Sequence, residues 1–208
     1  MDNLNELDDF KASPALIEEL YKHSIQKHFV AGSTILQENA PIRSIPIVIQ
    51  GVIKVFKMDE EGREILLYYI KAGESCIMSF LGGLHEETSM VKAEVEEDAE
   101  ILFLPVNKVS HLIKNYPDWL DYIFRLYHKR FEELLEIVND IAFKKVDERL
   151  LVLLEKKKVL FNDNTLQITH EQLAQELGTA RSVISRLLKQ LEIQGKLQLG
   201  RNKITLPK

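Results

Sequence analysis

The chain has 208 residues, of which 45% are hydrophobic and 28% charged, and its net charge is -5. These values are typical of globular domains and exclude wholesale disorder, and the length predicts one large domain or two small ones. The longest uninterrupted apolar run, Ile65 to Ile70, is far shorter than the roughly 18 residues that a membrane-spanning helix needs. The sequence therefore predicts no membrane association.

The N-terminus and the few metal-ligating residues exclude several other classes. Residues 1–6 are mostly acidic and amide side chains where a secretory signal would have basic ones followed by an apolar run, which predicts a cytoplasmic protein. Cys76 is the single cysteine, so neither an internal disulfide nor an iron-sulfur cluster is expected. Five histidines lack the spacing of haem or metal ligands, so no haem and no metal site is expected: His23, His28, His85, His111 and His128.

Charge is distributed unevenly along the chain. Residues 144–208 contain 13 Lys and Arg against 7 Asp and Glu, a net charge of +6, whereas residues 1–143 carry -11. A basic C-terminal third on an acidic body predicts contact with a polyanion through that third. Chance clustering of charge on a solvated surface is the alternative.

Short strands separated by glycine are predicted from Phe29 to Pro105. Apolar or alternating runs are separated by glycines, a pattern that predicts an all-β sandwich or barrel. The runs are Ile47–Ile49, Val52–Phe56, Ile65–Ile70 and Ala99–Leu104. The glycines are Gly32, Gly51, Gly62 and Gly73. Asp59 to Arg63 is predicted to form a hairpin loop, because it is acidic and contains a glycine.

A helical period begins after Pro117. Apolar residues then alternate at spacings of four and three, the heptad pattern of a coiled coil. We expect this helix to form a homodimer interface, although a helix buried against its own domain would have a similar pattern. The expected interface residues are Leu120, Phe124, Tyr127, Phe131, Leu134, Val138 and Ile141.

Residues 169–195 have the pattern of two short helices joined by a glycine. Thr169 and Gln172 form a capping box that predicts the start of the first helix, and Gly178 predicts its end. Thr179 is expected to cap a second helix, whose apolar positions follow a helical period: Val183, Ile184, Leu187, Leu188 and Leu191. Two helices joined in this way predict a helix-turn-helix.

Polar and basic residues occupy the opposite face of the second helix, which suits the major groove of DNA. Residues 195–206 alternate around a Gly-Arg-Asn-Lys turn and predict a two-stranded wing. A solvated face in a helical hairpin that binds no DNA is the alternative. The candidate DNA contacts are Thr169, His170, Thr179, Arg181, Ser182, Ser185, Arg186, Lys189, Arg201 and Lys203.

Taken together, these motifs resemble the Crp/Fnr family of bacterial transcription regulators, which includes the cyclic-AMP receptor protein and the fumarate-nitrate regulator. The residues that carry the resemblance are Gly51–Val55, Gly62–Ile65, Gly73–Glu74 and Ile168–Arg186. It implies an α+β fold with an N-terminal β-roll (1–117), a long dimerisation helix (118–143) and a C-terminal winged helix-turn-helix (144–208). It also implies a non-enzymatic homodimer that binds a palindromic operator in duplex DNA, reads it with residues 180–192 and contacts RNA polymerase.

The sequence departs from this family in its effector pocket. The resemblance implies a pocket around Gly73, Glu74, Cys76, Thr88 and Ser89, but Thr88 stands where cyclic-AMP-binding members have the arginine that neutralises the phosphate. We therefore expect an unidentified small-molecule effector other than cyclic AMP. A cyclic-AMP-dependent regulator and a cyclic-nucleotide-responsive signalling module are the alternatives. Ser182 also replaces a glutamate that reads cytosine in many relatives, so the operator need not match theirs.

Overall fold

The computed structural model describes Leu4, Phe10 and residues 12–59 and 64–207, without the side chains of residues 81 and 140–143. The predicted hairpin loop therefore lies largely outside the described residues. The helices are α1 (Pro14–His23), α2 (Met78–Leu84), α3 (Val106–Asn115), α4 (Pro117–Phe143), α5 (Val146–Phe161), α6 (His170–Glu176) and α7 (Arg181–Ile193). The strands are β1 (Ile25–Phe29), β2 (Thr34–Leu36), β3 (Ser44–Met58), β4 (Glu64–Ile70), β5 (Lys92–Pro105), β6 (Thr165–Leu166), β7 (Gln198–Gly200) and β8 (Lys203–Thr205).

The chain divides into two compact units. The N-terminal unit comprises residues 1–57 and 67–135, and the C-terminal unit comprises residues 58–66 and 136–208. The last residues of α4 and the first residues of β4 thus belong to the C-terminal unit. The division into residues 1–117, 118–143 and 144–208 stays a prediction about the roles of these segments.

A five-stranded sheet forms the body of the N-terminal unit. Its strands follow the order β1-β5-β3-β4, and β2 also pairs with β5. Strands β3 and β5 run antiparallel from Ser44 opposite Pro105 to Phe56 opposite Lys92, with register shifts around Gly51. Gly51 has a φ of +88°, and a Cβ there would lie 2.3 Å from the Asp98 carbonyl oxygen. The prediction that Gly51 separates two strands is therefore wrong, because this glycine forms an irregularity within one continuous strand.

The expectation of an all-β block from Phe29 to Pro105 is also wrong at one place. Helix α2 interrupts it, and its glycines allow close packing, since a Cβ on Gly82 would lie 2.7 Å from Ile42 and one on Gly83 2.4 Å from Val106. Near this helix, Trp119 of α4 is fully buried, stacking on Tyr122 and meeting the edge of Phe80. The start of α4 is thus part of the core of the N-terminal unit.

The C-terminal unit combines three helices with a small sheet. Helices α5, α6 and α7 share one apolar core, in which Leu150, Leu154, Leu173, Ile184 and Leu188 are fully buried. The sheet order is β6-β8-β7, so the predicted two-stranded wing has a third strand. Sequence reasoning missed β6 because it contributes only two residues.

None of the described helices is both long enough and apolar enough to cross a membrane.

Candidate nucleic-acid interface and sensor site

The first helix of the helix-turn-helix begins with the predicted capping box. Thr169 Oγ1 accepts from the Gln172 amide at 3.2 Å, and the Gln172 side chain accepts from the Thr169 amide at 2.8 Å. Two backbone donors that would lack partners at the helix start are therefore satisfied locally. The structure gives Thr169 a capping role in addition to its place among the candidate DNA contacts.

The turn between α6 and α7 is built on Gly178, as predicted. Its φ of +61° lies in the left-handed region that favours glycine. The prediction that Thr179 caps the second helix is wrong, because the N-cap residue is Ala180 and it makes no side-chain capping bond. The tight turn instead uses the Thr179 amide, which donates to the Ala174 carbonyl at 2.9 Å.

Helix α7 has an apolar face and a polar face, as its sequence predicts. Ile184, Leu188 and Leu191 are buried in the core of the C-terminal unit. Four candidate DNA contacts are exposed on this helix: Arg181, Ser182, Arg186 and Lys189. The helix therefore presents three positive charges to solvent over about two turns, a pattern suited to phosphates and guanine edges.

Ser185, the remaining candidate contact on α7, is half-buried. Its hydroxyl lies 2.9 Å from Nδ1 of His170, the first residue of α6. Two predicted DNA contacts that are 15 residues apart are thus hydrogen-bonded to each other.

The wing presents its basic residues at a tight turn. Strands β7 and β8 pair antiparallel, and Asn202 between them has a φ of +54°. Arg201 and Lys203 are exposed. The aliphatic part of Lys203 packs against Gly200, where a Cβ would lie only 2.7 Å from the Lys203 side chain. Both charges are therefore accessible to phosphate oxygens.

Sequence reasoning missed the residues that hold these elements in place. Lys157 of α5 is only 1% exposed and forms an ion pair with Glu176 of α6 at 3.1 Å. Arg149 donates to the Leu177 carbonyl at the turn, and Glu192 of α7 accepts from the Leu199 amide in the wing. The residue types are common on helix surfaces, so no local signal distinguished them.

The sensor candidates lie in the N-terminal unit, where Glu74 is the centre of a charged cluster. Its side chain is 2% exposed and forms ion pairs with Lys129 and Arg130 of α4. Arg130 is fully buried, bonds to Glu133 at 2.7 and 2.9 Å, and lies over the ring of Tyr68 at 4.5 Å.

Both charges of this cluster are stabilised by their partners. Burial raises the pKa of Glu74, but Arg130 and Lys129 lower it by more, so the pKa lies below its usual range. Burial lowers the pKa of Arg130, but Glu74 and Glu133 raise it by more. Glu74 and Arg130 are therefore an ionised pair with additional partners.

The other pocket candidates are only partly brought together. Gly73 accepts a hydrogen bond from Tyr122 of α4, and Cys76 is buried with its sulfur 3.9 Å from the Tyr68 hydroxyl. The Ser89 hydroxyl is buried and bonded to the backbone of Val91. Thr88, by contrast, has an exposed side chain.

Helix α4 exposes an apolar stripe. Five of the predicted interface residues are between 37% and 65% exposed: Leu120, Phe124, Phe131, Leu134 and Val138. Tyr127 differs, because it is half-buried and its hydroxyl donates to the Ile77 carbonyl of its own unit at 3.1 Å. The side chain of Ile141 lies outside the described residues.

Among the described residues, no group of three or more His, Cys, Asp or Glu side chains is arranged to hold a metal ion.

Comparison with known protein families matched both parts of the chain. The cyclic nucleotide-binding domain family matches residues 26–116, and the Crp-like helix-turn-helix domain family matches residues 147–208. The cAMP-activated global transcriptional regulator CRP of Pasteurella multocida is 27% identical over 188 residues, covering 86% of this chain and 88% of the relative. The cAMP-activated regulator Vfr of Pseudomonas aeruginosa is 26% identical over 190 residues, covering 86% and 87%.

Solved structures share the fold over nearly the whole chain. A protein from Eubacterium rectale, described as a transcriptional regulator of the Crp/Fnr family, has a TM-score of 0.83 and 26% identity, covering 98% of this chain and 92% of its own. CLP of Xanthomonas campestris, described as a c-di-GMP responsive global regulator, has a TM-score of 0.81 and 19% identity, covering 94% and 100%.

Proposed function

Because the chain belongs to the Crp/Fnr family of transcriptional regulators, we propose that it binds a palindromic operator as a homodimer and responds to an effector other than cyclic AMP. As a DNA-binding transcriptional regulator it is not an enzyme. The observation that carries the proposal is the exposed basic face of α7 within a capped helix-turn-helix.

Operator reading is assigned to α7 and the wing. Arg181 and Arg186 can each donate two hydrogen bonds to a guanine, while Lys189 and the wing residues Arg201 and Lys203 neutralise phosphates. The buried leucines on the other side of α7 hold the helix on the core and leave this face outward. A recognition helix with one apolar and one basic face is what the major groove requires.

Homodimerisation is assigned to the apolar stripe of α4. Phe124 and Phe131 are more than 60% exposed, although phenylalanine is among the side chains that gain most from burial. Their heptad spacing places them on one face, where an identical helix can cover them in a two-fold arrangement. A dimer would also double the DNA-reading surface, and its two-fold symmetry implies a palindromic operator with half-sites about one helical turn apart.

The effector is assigned to a class other than cyclic AMP. Glu74 is engaged with Lys129 and Arg130, the Ser89 hydroxyl is bonded within its own loop, and Thr88 is exposed and uncharged. A cyclic phosphate at Thr88 would thus lack the positive charge that charge-assisted binding needs.

Cyclic-AMP-dependent regulation is the second candidate, favoured by the relatives CRP and Vfr, which are named as cAMP-activated. The similarity in fold to CLP, described as c-di-GMP responsive, makes a cyclic dinucleotide a reasonable first alternative ligand. By family resemblance, RNA polymerase is the expected protein partner. The cytoplasm is the expected location, since a regulator acts where its operator lies.

Selection of random duplex DNA on the purified, ligand-free protein tests the DNA assignment. Enrichment of one inverted repeat, together with a steep loss of affinity as salt rises, is expected for a dimeric sequence reader. The matched control is Lys114→Ala, which removes an exposed lysine of α3, whereas Arg186→Ala should weaken the enrichment and relax the base preference. If neither the wild-type protein nor the protein with effector candidates enriches any sequence, the assignment is wrong.

Thermal unfolding with cyclic AMP and cyclic di-GMP tests the effector assignment. A ligand that binds only the folded state raises the melting temperature. Because we propose that cyclic AMP does not bind, we expect it to leave the melting temperature unchanged. A concentration-dependent rise with cyclic AMP would overturn the assignment in favour of the second candidate.

A further inference from the structure

We propose that His170 is a positioning residue for operator specificity, acting through the hydroxyl of Ser185. The proposal rests on the function proposed above and concerns the contact between α6 and α7. His170 Nδ1 and Ser185 Oγ are 2.9 Å apart, and both side chains are half-buried. Ser185 lies on the same helix as the exposed Arg181 and Lys189, which makes it a candidate DNA contact. Its hydrogen-bond partner His170 belongs to α6, so a second helix holds the Ser185 side chain in place.

The chemistry of this contact limits what Ser185 can offer to DNA. A serine hydroxyl has one hydrogen to donate and two lone pairs, and a ring nitrogen either donates or accepts. If Nδ1 accepts, the Ser185 hydrogen points to the ring, and only its lone pairs face outward. If Nδ1 donates, it occupies one lone pair, and the hydroxyl hydrogen and the second lone pair are both available to DNA.

These two arrangements select different bases. An outward lone pair fits only the amino groups of adenine or cytosine, whereas an outward hydrogen fits the acceptors of guanine (O6 and N7), thymine (O4) and adenine (N7). When Nδ1 accepts, the imidazole removes the donor option from Ser185. When Nδ1 donates, it occupies one lone pair and fixes the direction in which the hydrogen and the remaining lone pair point. His170 therefore affects specificity from α6, without itself having to touch a base.

A purely structural role for the contact makes a different prediction. A hydrogen bond that only ties α6 to α7 would change stability and lower the affinity for all sequences alike. A direct bond from His170 to a phosphate would also act on all sequences, and it would reduce the salt dependence of binding. Base preference at a single operator position therefore distinguishes the proposal from both.

The test uses the full chain and its selected operator, with every single-base variant of one half-site. His170→Leu and Ser185→Ala should each lower base preference at the same position, by about three- to tenfold for one lost hydrogen bond. The double variant should lose no more than either single variant, because both substitutions remove the same interaction. His170→Asn, which keeps a polar atom close to the position of Nδ1, should restore part of the preference.

Gln175→Leu is the matched control, since it removes another polar side chain of α6 that is exposed. The proposal is overturned if His170→Leu lowers affinity equally for all base variants. It is also overturned if His170→Leu changes base preference at a different operator position from Ser185→Ala and the two effects add in the double variant. Failure of the proposed function would be seen separately, as the absence of any selected operator for the wild-type protein.

Discussion

Removing the Glu74 carboxylate should destabilise the N-terminal unit substantially. Glu74→Gln keeps the size of the side chain but removes the charge that faces fully buried Arg130. Arg130 would then depend on Glu133 alone among its present carboxylate partners. Breaking a buried ion pair by removing one partner costs about 3 to 5 kcal/mol, since the other charge is left poorly compensated.

The lower end of that range applies here for two structural reasons. Glu133 still accepts two hydrogen bonds from Arg130, and Lys129 is 44% exposed, so water can solvate its charge after the substitution. We therefore expect a loss of about 3 kcal/mol, or a melting temperature lower by roughly 6 to 12 °C for a chain of this size.

Urea and thermal unfolding of Glu74→Gln beside Glu132→Gln provide the assay. Glu132 is a matched control because it lies on α4, as Arg130 does, and its side chain is 64% exposed. The double variant Glu74→Gln with Arg130→Met should recover part of the loss, because it removes both buried charges. A difference of less than about 0.5 kcal/mol between the unfolding free energies of Glu74→Gln and Glu132→Gln would show that the buried carboxylate contributes no more than an exposed one.

The same pair gives stability a dependence on pH. The pKa of Glu74 is lowered in the folded state, so its contribution is fully present above the unfolded pKa near 4.5 and is lost as pH falls through the lower folded value. In acid, the stability difference between wild type and Glu74→Gln should therefore shrink. A difference that stays constant down to the acid transition would contradict the assignment.

Three further substitutions test other parts of the molecule. Arg186→Ala should weaken operator binding by about 5- to 150-fold and relax base preference, measured by fluorescence anisotropy against Lys114→Ala; equal affinities for the two variants would contradict a recognition role. Phe131→Glu should convert a dimer to a folded monomer in sedimentation experiments, and an unchanged mass would exclude α4 from the interface. Lys157→Ala should lower the free energy of unfolding of the C-terminal unit by about 3 to 5 kcal/mol, because the Glu176 side chain, which is only 10% exposed, loses its lysine; a loss below about 1 kcal/mol would show that the pair is solvated.

Local interactions made much of the DNA-binding unit predictable. The capping box at Thr169 and Gln172 joins residues three positions apart, and the positive φ at Gly178 is a property of that residue alone. The apolar period of α7 is equally local, so its buried face followed from the sequence. Thr179 was the exception, because a good capping residue one position before the actual N-cap has the same sequence signal as the cap itself.

The sequence by itself therefore determined the succession of a strand-rich part, a long helix and a helix-turn-helix, the capping box and glycine turn of that motif, and the basic residues that α7 exposes. Only the tertiary structure decided that Gly51 lies within one strand, that Glu74 faces Lys129 and Arg130 some 55 residues away, and that His170 meets Ser185. The physical reason is distance along the chain. Caps, turns and helical faces depend on neighbours within one or two turns, whereas partners of buried charges are selected by how whole elements pack.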